Sequence, residues 1–418
     1  MKKFFLLLVF FASVASIHGQ ILKRITDRAK NKAENNVNTK VDNAVDSAMT
    51  IKKGDKGDKN ATVADDNTGE PAKTESPSGS IKAYSKYDFV PGEKVIGFED
   101  FSTGTIGDFP AGWNTTASAE IVTIEGKPSR WLWFTKPGVF VPEFTEQYPE
   151  DFTFEFDLLH GVPIRGAYFN LTLAQLTNIS QPQNWTLGTN RVNFEFNTAN
   201  TGSQSGSSRV SLRKNSVSEP ASMIVTSLFI DEFNPVHISI WRQKERVRVY
   251  VNQEKLWDIP KALAKDAKLN ALVFSVSSAE SLVQHYIGNL RLAIGAPDTR
   301  NKMLTENKWV THGILFDVNS ANIKPQSYGS LKEMANVLKE YPDLKVKIVG
   351  HTDADGKDAD NLDLSKRRAT SVKAMLAKEF GIDESRMETD GKGESEPIDK
   401  NDNPAGKANN RRVEFIKI

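Results

Sequence analysis

The stretch Gly350 to Val372, GHTDADGKDADNLDLSKRRATSV, decides how the C-terminal part of this 418-residue chain is read. At about 100° per residue, Leu364, Ala369, Val372, Met375 and Leu376 share one apolar stripe of a helix over 361–380, while Lys366, Arg367 and Lys373 fall outside it. Arg368 lands in the middle of that stripe. A guanidinium on a buried face is costly unless it is paired or faces a pocket. Asn361 and Ser365 lie on the same side, so the first two turns of this face are polar and the rest apolar. The pattern predicts a cleft at the helix N-terminus, to which the preceding strand delivers Gly350 to Asp353. Spacing alone leaves two readings open, a ligand cleft or a structural Asp353–Arg368 pair, because structural ion pairs imitate sites.

Working outward, WVTHGILFDV (309–318) reads as a strand. Pro325 opens a helix with Leu331, Met334, Ala335 and Leu338 on one face, and Tyr341-Pro342 ends it. Residues 344–349, 386–391 and 412–418 read as further strands. The order is β-α-β-α-β-β, a small α/β sandwich over 307–418.

Four motifs, FDVNSANIKP (316–325), GHTDADG (350–356), NLDLSKRRATSV (361–372) and GKANNRRVE (406–414), resemble in order and spacing those of the OmpA-like C-terminal peptidoglycan-binding domain of the OmpA/Pal/MotB family. The resemblance covers essentially all of 307–418. It implies a periplasmic domain that holds the meso-diaminopimelate residue of peptidoglycan stem peptides noncovalently, with no cofactor or metal. Carried over by motif, Asp353 takes the ligand ammonium and Arg368, fifteen residues on, its carboxylate, with further hydrogen bonds from Asn319, Asn361 and Arg411. The chemistry fits: an α-amino acid end needs one anion and one planar cation close together, and guanidinium binds carboxylate bidentately. There are two departures: Lys407 after Gly406 reads as a rim position, and Asp355 before Gly356 adds a charge that would tune affinity.

Residues 84–298 have a different texture, with many short runs of alternating, β-branched and aromatic residues between turn signals. They predict an antiparallel β-sandwich. VHISIWRQKERVRVYVNQEKLWDIP (236–260) and FEDFSTGTIGDFPAGW (98–113) resemble laminin-G and concanavalin-A-like jelly rolls. A membrane β-barrel would alternate too, but runs such as Ala271 to Phe274 read as buried on both faces. Glu155-Phe156-Asp157 starts a glycosidase-like pair, yet the next same-face positions are Leu159 and Gly161, so the chain reads as noncatalytic, with a peptidoglycan-tethered protein whose sandwich binds or processes glycan as the alternative. Trp113, Trp131, Trp133, Trp185, Trp241 and Trp257 read as core rather than as sugar platforms. Residues 299–306 read as a linker.

Upstream, residues 52–83 lack the apolar content to form a core and read as a disordered linker. Residues 20–51 read as a polar helix with a thin seam of Ile, Val and Ala. Met1 to Gly19 reads as a cleaved signal peptide, with a basic head and an apolar run too short to span a bilayer. The chain is thus expected to be exported to the periplasm, associated with the outer membrane and wall, without a transmembrane helix. An outer-membrane protein or a glycan would be the partner of the sandwich. With 54 basic against 53 acidic side chains, nucleic acid is not an expected partner. The absence of cysteine excludes disulfides, thiolate metal sites and a lipidated cysteine.

Overall fold

The computed structural model describes residues 87–161, 168–181, 188–197, 206–229, 234–277, 284–295 and 299–418. The signal peptide, polar helix and linker expected upstream, and Trp185, lie outside the described residues.

Asp151–His160 shows how the alternation becomes a sandwich. Phe152, Phe154, Phe156 and Leu158 point into the core, and the strand pairs with Val236–Gln243 on one side and His285–Ile294 on the other. Around it stands an antiparallel sheet of eight strands, in spatial order Glu254–Ile259, Arg246–Val251, Val236–Gln243, Asp151–His160, His285–Ile294, Arg130–Phe134 and Ala119–Thr123, with Lys94–Glu99 also paired to His285–Ile294. A second eight-stranded sheet runs Val217–Ser218, Gly206–Lys214, Asn190–Asn197, Tyr168–Gln175, Ala271–Val276, Gly138–Pro142 and Trp113–Thr115, with Ser222–Thr226 beside Gly206–Lys214. The two inner faces share one core: Phe274 of the second sheet meets Phe156 of the first edge-on at 5.4 Å between ring centroids. Each such buried ring contributes about 1.5–3 kcal/mol of transfer free energy. Trp131 is buried, Trp113 packs against the core, and Trp257 does so while donating to Ser208 Oγ at 2.9 Å.

The C-terminal domain is a four-stranded sheet in the order Lys308–Thr311, Val413–Lys417, Val346–His351 and Met387–Gly393, the last two parallel. Helix α1 (Thr299–Thr305) occupies the stretch expected as a linker and buries Met303 in this domain's core. Helix α2 (Tyr328–Glu340) follows a 3-10 turn opened by Pro325 and buries Leu331, Met334, Ala335 and Leu338. Helix α3 (Asp358–Phe380) buries Ala369, Val372, Leu376 and Phe380, and ends at Gly381, whose left-handed backbone returns its N–H to the carbonyls of Ala377 and Leu376. Helix α4 (Pro404–Asn410), which the sequence reading lacks, is capped by Asn403 accepting from the Gly406 N–H at 2.8 Å. The strand expected over 309–318 ends at Thr311. Beyond it the Leu315 N–H is taken by Ser327 Oγ, and Asp317 to Ser320 form a turn with Asn319 at φ 54°.

The described residues of the sandwich and the C-terminal domain pack as one compact unit. The outward face of Asp151–His160 is not solvated: Thr153 and Glu155 are buried, and the Gly92 N–H donates to Thr153 Oγ1 at 2.9 Å. Residues 87–92 cross this face toward α2. There a Cβ on Gly329 would stand 1.8 Å from the Phe89 carbonyl oxygen, so only glycine admits the contact. Strand Lys94–Glu99 is covered by α4, where Asn409 Oδ1 accepts from the Val95 N–H and Asn409 Nδ2 donates to the Val95 C=O, both at 2.9 Å. The side-chain amide thus pairs with the strand as a neighbouring backbone would. Asn409→Ala strips both partners from a buried residue, and we expect a loss of about 2 kcal/mol, with the single thermal transition broadening or splitting in calorimetry.

Candidate functional site

Two elements of the C-terminal domain converge on one spot. Strand Val346–His351 and helix α3 approach closely, since a Cβ on Gly350 would lie 2.3 Å from the Ser365 carbonyl oxygen. This approach sets the loop after His351, which carries Asp353, beside the first turns of α3. Asn361 Nδ2 pins that loop, donating to the Asp353 carbonyl at 3.3 Å, to the Asp355 carbonyl at 3.1 Å and to Glu394 Oε2.

Arg368 faces the cleft that its position in the stripe predicts. Its Nε donates to the Ser320 carbonyl at 3.0 Å, its Nη2 reaches the Asp317 carbonyl at 3.4 Å, and its guanidinium lies 4.8 Å from the centre of the Phe316 ring. Among the described residues no carboxylate forms an ion pair with it. Burial, and then the neighbouring Arg411, depress its pKa to about 10. A half-buried cation in contact with carbonyl oxygens and a ring face has the chemistry to accept a carboxylate.

Asp353 is engaged differently. Its Oδ2 forms a short ion pair with Arg411 Nη1, and its Oδ1 accepts from the Asp355 N–H at 3.3 Å. The direct Asp353–Arg368 pair left open by the spacing is therefore absent, and Arg411 holds the aspartate instead. Asn361 positions the loop. Asn319 is exposed in the turn whose Asp317 and Ser320 carbonyls hold Arg368. Lys407 and Asp355, the two departures from the family pattern, form a 2.7 Å ion pair between α4 and the loop.

A cavity of about 130 Å³ adjoins the cleft, with Phe316, Arg368, Arg411 and His312 among its walls. Phe98 and Arg291 of the sandwich also line it. Neither had a local signal: Phe98 belongs to an ordinary alternating strand, and no motif marks Arg291.

Arg291 belongs to a buried polar cluster that contains the two carboxylates considered above as a glycosidase pair. Glu155 accepts from Arg291 Nη1 at 2.8 Å and faces His237 Nε2 at 3.3 Å. Asp157 meets His237 Nδ1 at 2.7 Å and accepts from Asn289 Nδ2 at 2.7 Å. Burial alone would raise Glu155, but Arg291 and His237 hold it below the usual carboxylate range. Burial alone would likewise lower His237, but the two carboxylates hold it up at about 9. Both carboxylates are thus ionised and committed, which leaves neither as a general acid.

The pH consequence has a definite sign. His237 is protonated more readily when folded than its unfolded value near 6.5, so its contribution is complete below about pH 6.5 and is lost as pH rises through about 9. The loss is on the order of 3 kcal/mol. We expect the urea midpoint to fall between pH 6.5 and 9, and His237→Gln to be less stable at pH 6 with that fall flattened.

Residues 315–411 match the model of the OmpA family. This part of the chain is an OmpA family domain. The domain is similar to outer membrane porin F of Pseudomonas fluorescens, 46% identical over 101 residues, which are 24% of this chain and 31% of that protein. It is 44% identical over 104 residues to the probable lipoprotein YiaD of Escherichia coli, covering 25% of this chain and 47% of that one. The chain thus spans less than half the length of these relatives. The crystal structure of the peptidoglycan-associated lipoprotein from Burkholderia pseudomallei is 27% identical, covers 29% of this chain and 98% of its own, and superposes with a TM-score of 0.25. Among the described residues, no helix is long and apolar enough to cross a membrane and no cluster of side chains is suited to a metal ion.

Proposed function

We propose that this protein is a noncatalytic component of the cell envelope that binds peptidoglycan noncovalently through the diaminopimelate residue of the stem peptide. The observation that carries the reading is Arg368, a half-buried guanidinium that lines a cavity without a carboxylate of its own. The ligand carboxylate supplies the missing counter-charge. The ligand ammonium comes to Asp353, which lies in the adjoining loop and exchanges part of its contact with Arg411 for the new cation. The name of the Burkholderia neighbour, a peptidoglycan-associated lipoprotein, and the motifs at 316–325, 350–356, 361–372 and 406–414 support the same reading.

In this reading the OmpA family domain is the wall anchor and the sandwich is the part held in place. Export to the periplasm and association with the outer membrane follow from the wall ligand, and the latter accords with the name of outer membrane porin F. The test is cosedimentation of the purified protein with isolated diaminopimelate-type peptidoglycan. The wild type should pellet, and Asp353→Ala and Arg368→Ala should stay in solution. A wild type that remained in the supernatant would overturn the assignment.

A further inference from the structure

The cavity beside Arg368 is not built by the OmpA family domain alone. Phe98 comes from strand Lys94–Glu99 and Arg291 from its partner His285–Ile294, so the sandwich closes one side. The Phe98 ring lies 5.1 Å from the Arg411 guanidinium and holds the group that pairs with Asp353. Arg291 is 6% exposed; its Nη1 is taken by Glu155, but its Nη2 is buried without any hydrogen-bond partner. A buried guanidinium N–H left unpaired beside a cavity marks a place for an acceptor.

The charges favour an anionic acceptor. Around the cavity stand Arg291, Arg368, Arg411 and Arg412. Asp353 pairs with Arg411, Glu155 is shared between Arg291 and His237, Glu414 is shared between Arg412 and Lys308, and Arg368 has no carboxylate among the described residues. The walls are thus cationic, and a carboxylate oxygen suits Arg291 Nη2 better than a neutral acceptor.

We propose that the sandwich completes the ligand site, and that Arg291 Nη2, with Phe98 fixing Arg411, receives the second carboxylate of diaminopimelate, which is free where a stem peptide ends at that residue. This inference rests on the peptidoglycan reading above. It makes the site a property of two docked domains, which selects a ligand with a carboxylate at each end over one with a single carboxylate. Diaminopimelate is such a ligand; lysine differs from it by lacking the carboxylate on the far carbon.

The experiment is calorimetric titration of the purified protein with meso-diaminopimelate, D-lysine and L-lysine. Both lysine enantiomers are needed because each retains one of the two amino acid ends. The wild type should bind diaminopimelate roughly ten- to a hundredfold more tightly than the better lysine, the worth of one charged hydrogen-bonded contact. The double variant Glu155→Gln/Arg291→Gln removes the buried charge pair together, and should bring that ratio close to one. Arg291→Lys keeps the ion pair with Glu155 but gives up the second planar nitrogen, and should lower the ratio in a protein whose fold is undisturbed. Arg368→Ala should lose all three ligands. An unaltered ratio in folded Arg291 variants, or a wild type indifferent to the second carboxylate, overturns the composite site and leaves the wall anchor standing. A wild type that binds none of the three, or an Arg368→Ala variant that binds as the wild type does, overturns the anchor itself.

Discussion

Arg368→Ala will abolish retention on diaminopimelate-type peptidoglycan while leaving the protein about as stable as the wild type. The two halves of this result have separate causes. Among the described residues the guanidinium, partly desolvated, donates to the Ser320 and Asp317 carbonyls. Removing it frees carbonyls at the edge of the domain, where water can replace the lost donors, and also relieves repulsion from Arg411. We expect a stability change within about 1 kcal/mol. In the proposed complex the same group faces a carboxylate, and loss of a charged, bidentate contact weakens binding by about 1.5–3 kcal/mol or more. Asp353→Ala behaves differently. It also loses binding, but it leaves Arg411 without its carboxylate and close to Arg368, so it should melt at a lower temperature. The pair of variants, followed by cosedimentation and calorimetry, separates a ligand receptor from a structural strut. An Arg368→Ala protein that unfolds several degrees early and still pellets would assign the strut.

The largest expected effect on stability lies away from the cleft. Glu155→Ala should cost about 3–5 kcal/mol, because it leaves Arg291 buried without its carboxylate and His237 with Asp157 alone. The cost arises from uncompensated charge, not from the intrinsic worth of the original pair. Glu155→Gln, which still offers an acceptor, should recover part of the loss. Equilibrium urea unfolding measures both. A loss below about 1 kcal/mol for Glu155→Ala would mean that water enters between sandwich and C-terminal domain and solvates the stranded cations.

What the sequence reveals here follows the range of the interaction that decides each residue. Arg368 could be singled out because a helix stripe is local: Leu364, Ala369, Val372 and Leu376 define a face within four turns, and a guanidinium among them is an anomaly visible without a structure. The inward phenylalanines of Asp151–His160 are legible for the same reason, since alternation within one strand marks its core face. The outward residues of that strand are not. Thr153, Glu155 and Asp157 alternate as a solvated face would, and only the packing of residues 87–92 and the C-terminal domain buries Thr153 and Glu155. The partners of Glu155, His237 and Arg291, lie 82 and 136 residues away. Arg411 poses the same problem: its motif position suggests a ligand contact, but its pairing with Asp353 across 58 residues emerges only in three dimensions. Helix α4 escapes detection because it has seven residues and buries Ala408 as its sole larger apolar side chain, too little for a periodic signal.

The glycine at the second position of α2 makes the seam between the two domains depend on the absence of one methyl group. Because the Phe89 carbonyl occupies the space of a side chain at Gly329, any side chain there would push residues 87–92 off α2. The seam is thus keyed by backbone rather than by side-chain fit, and a single added carbon is enough to lift the latch.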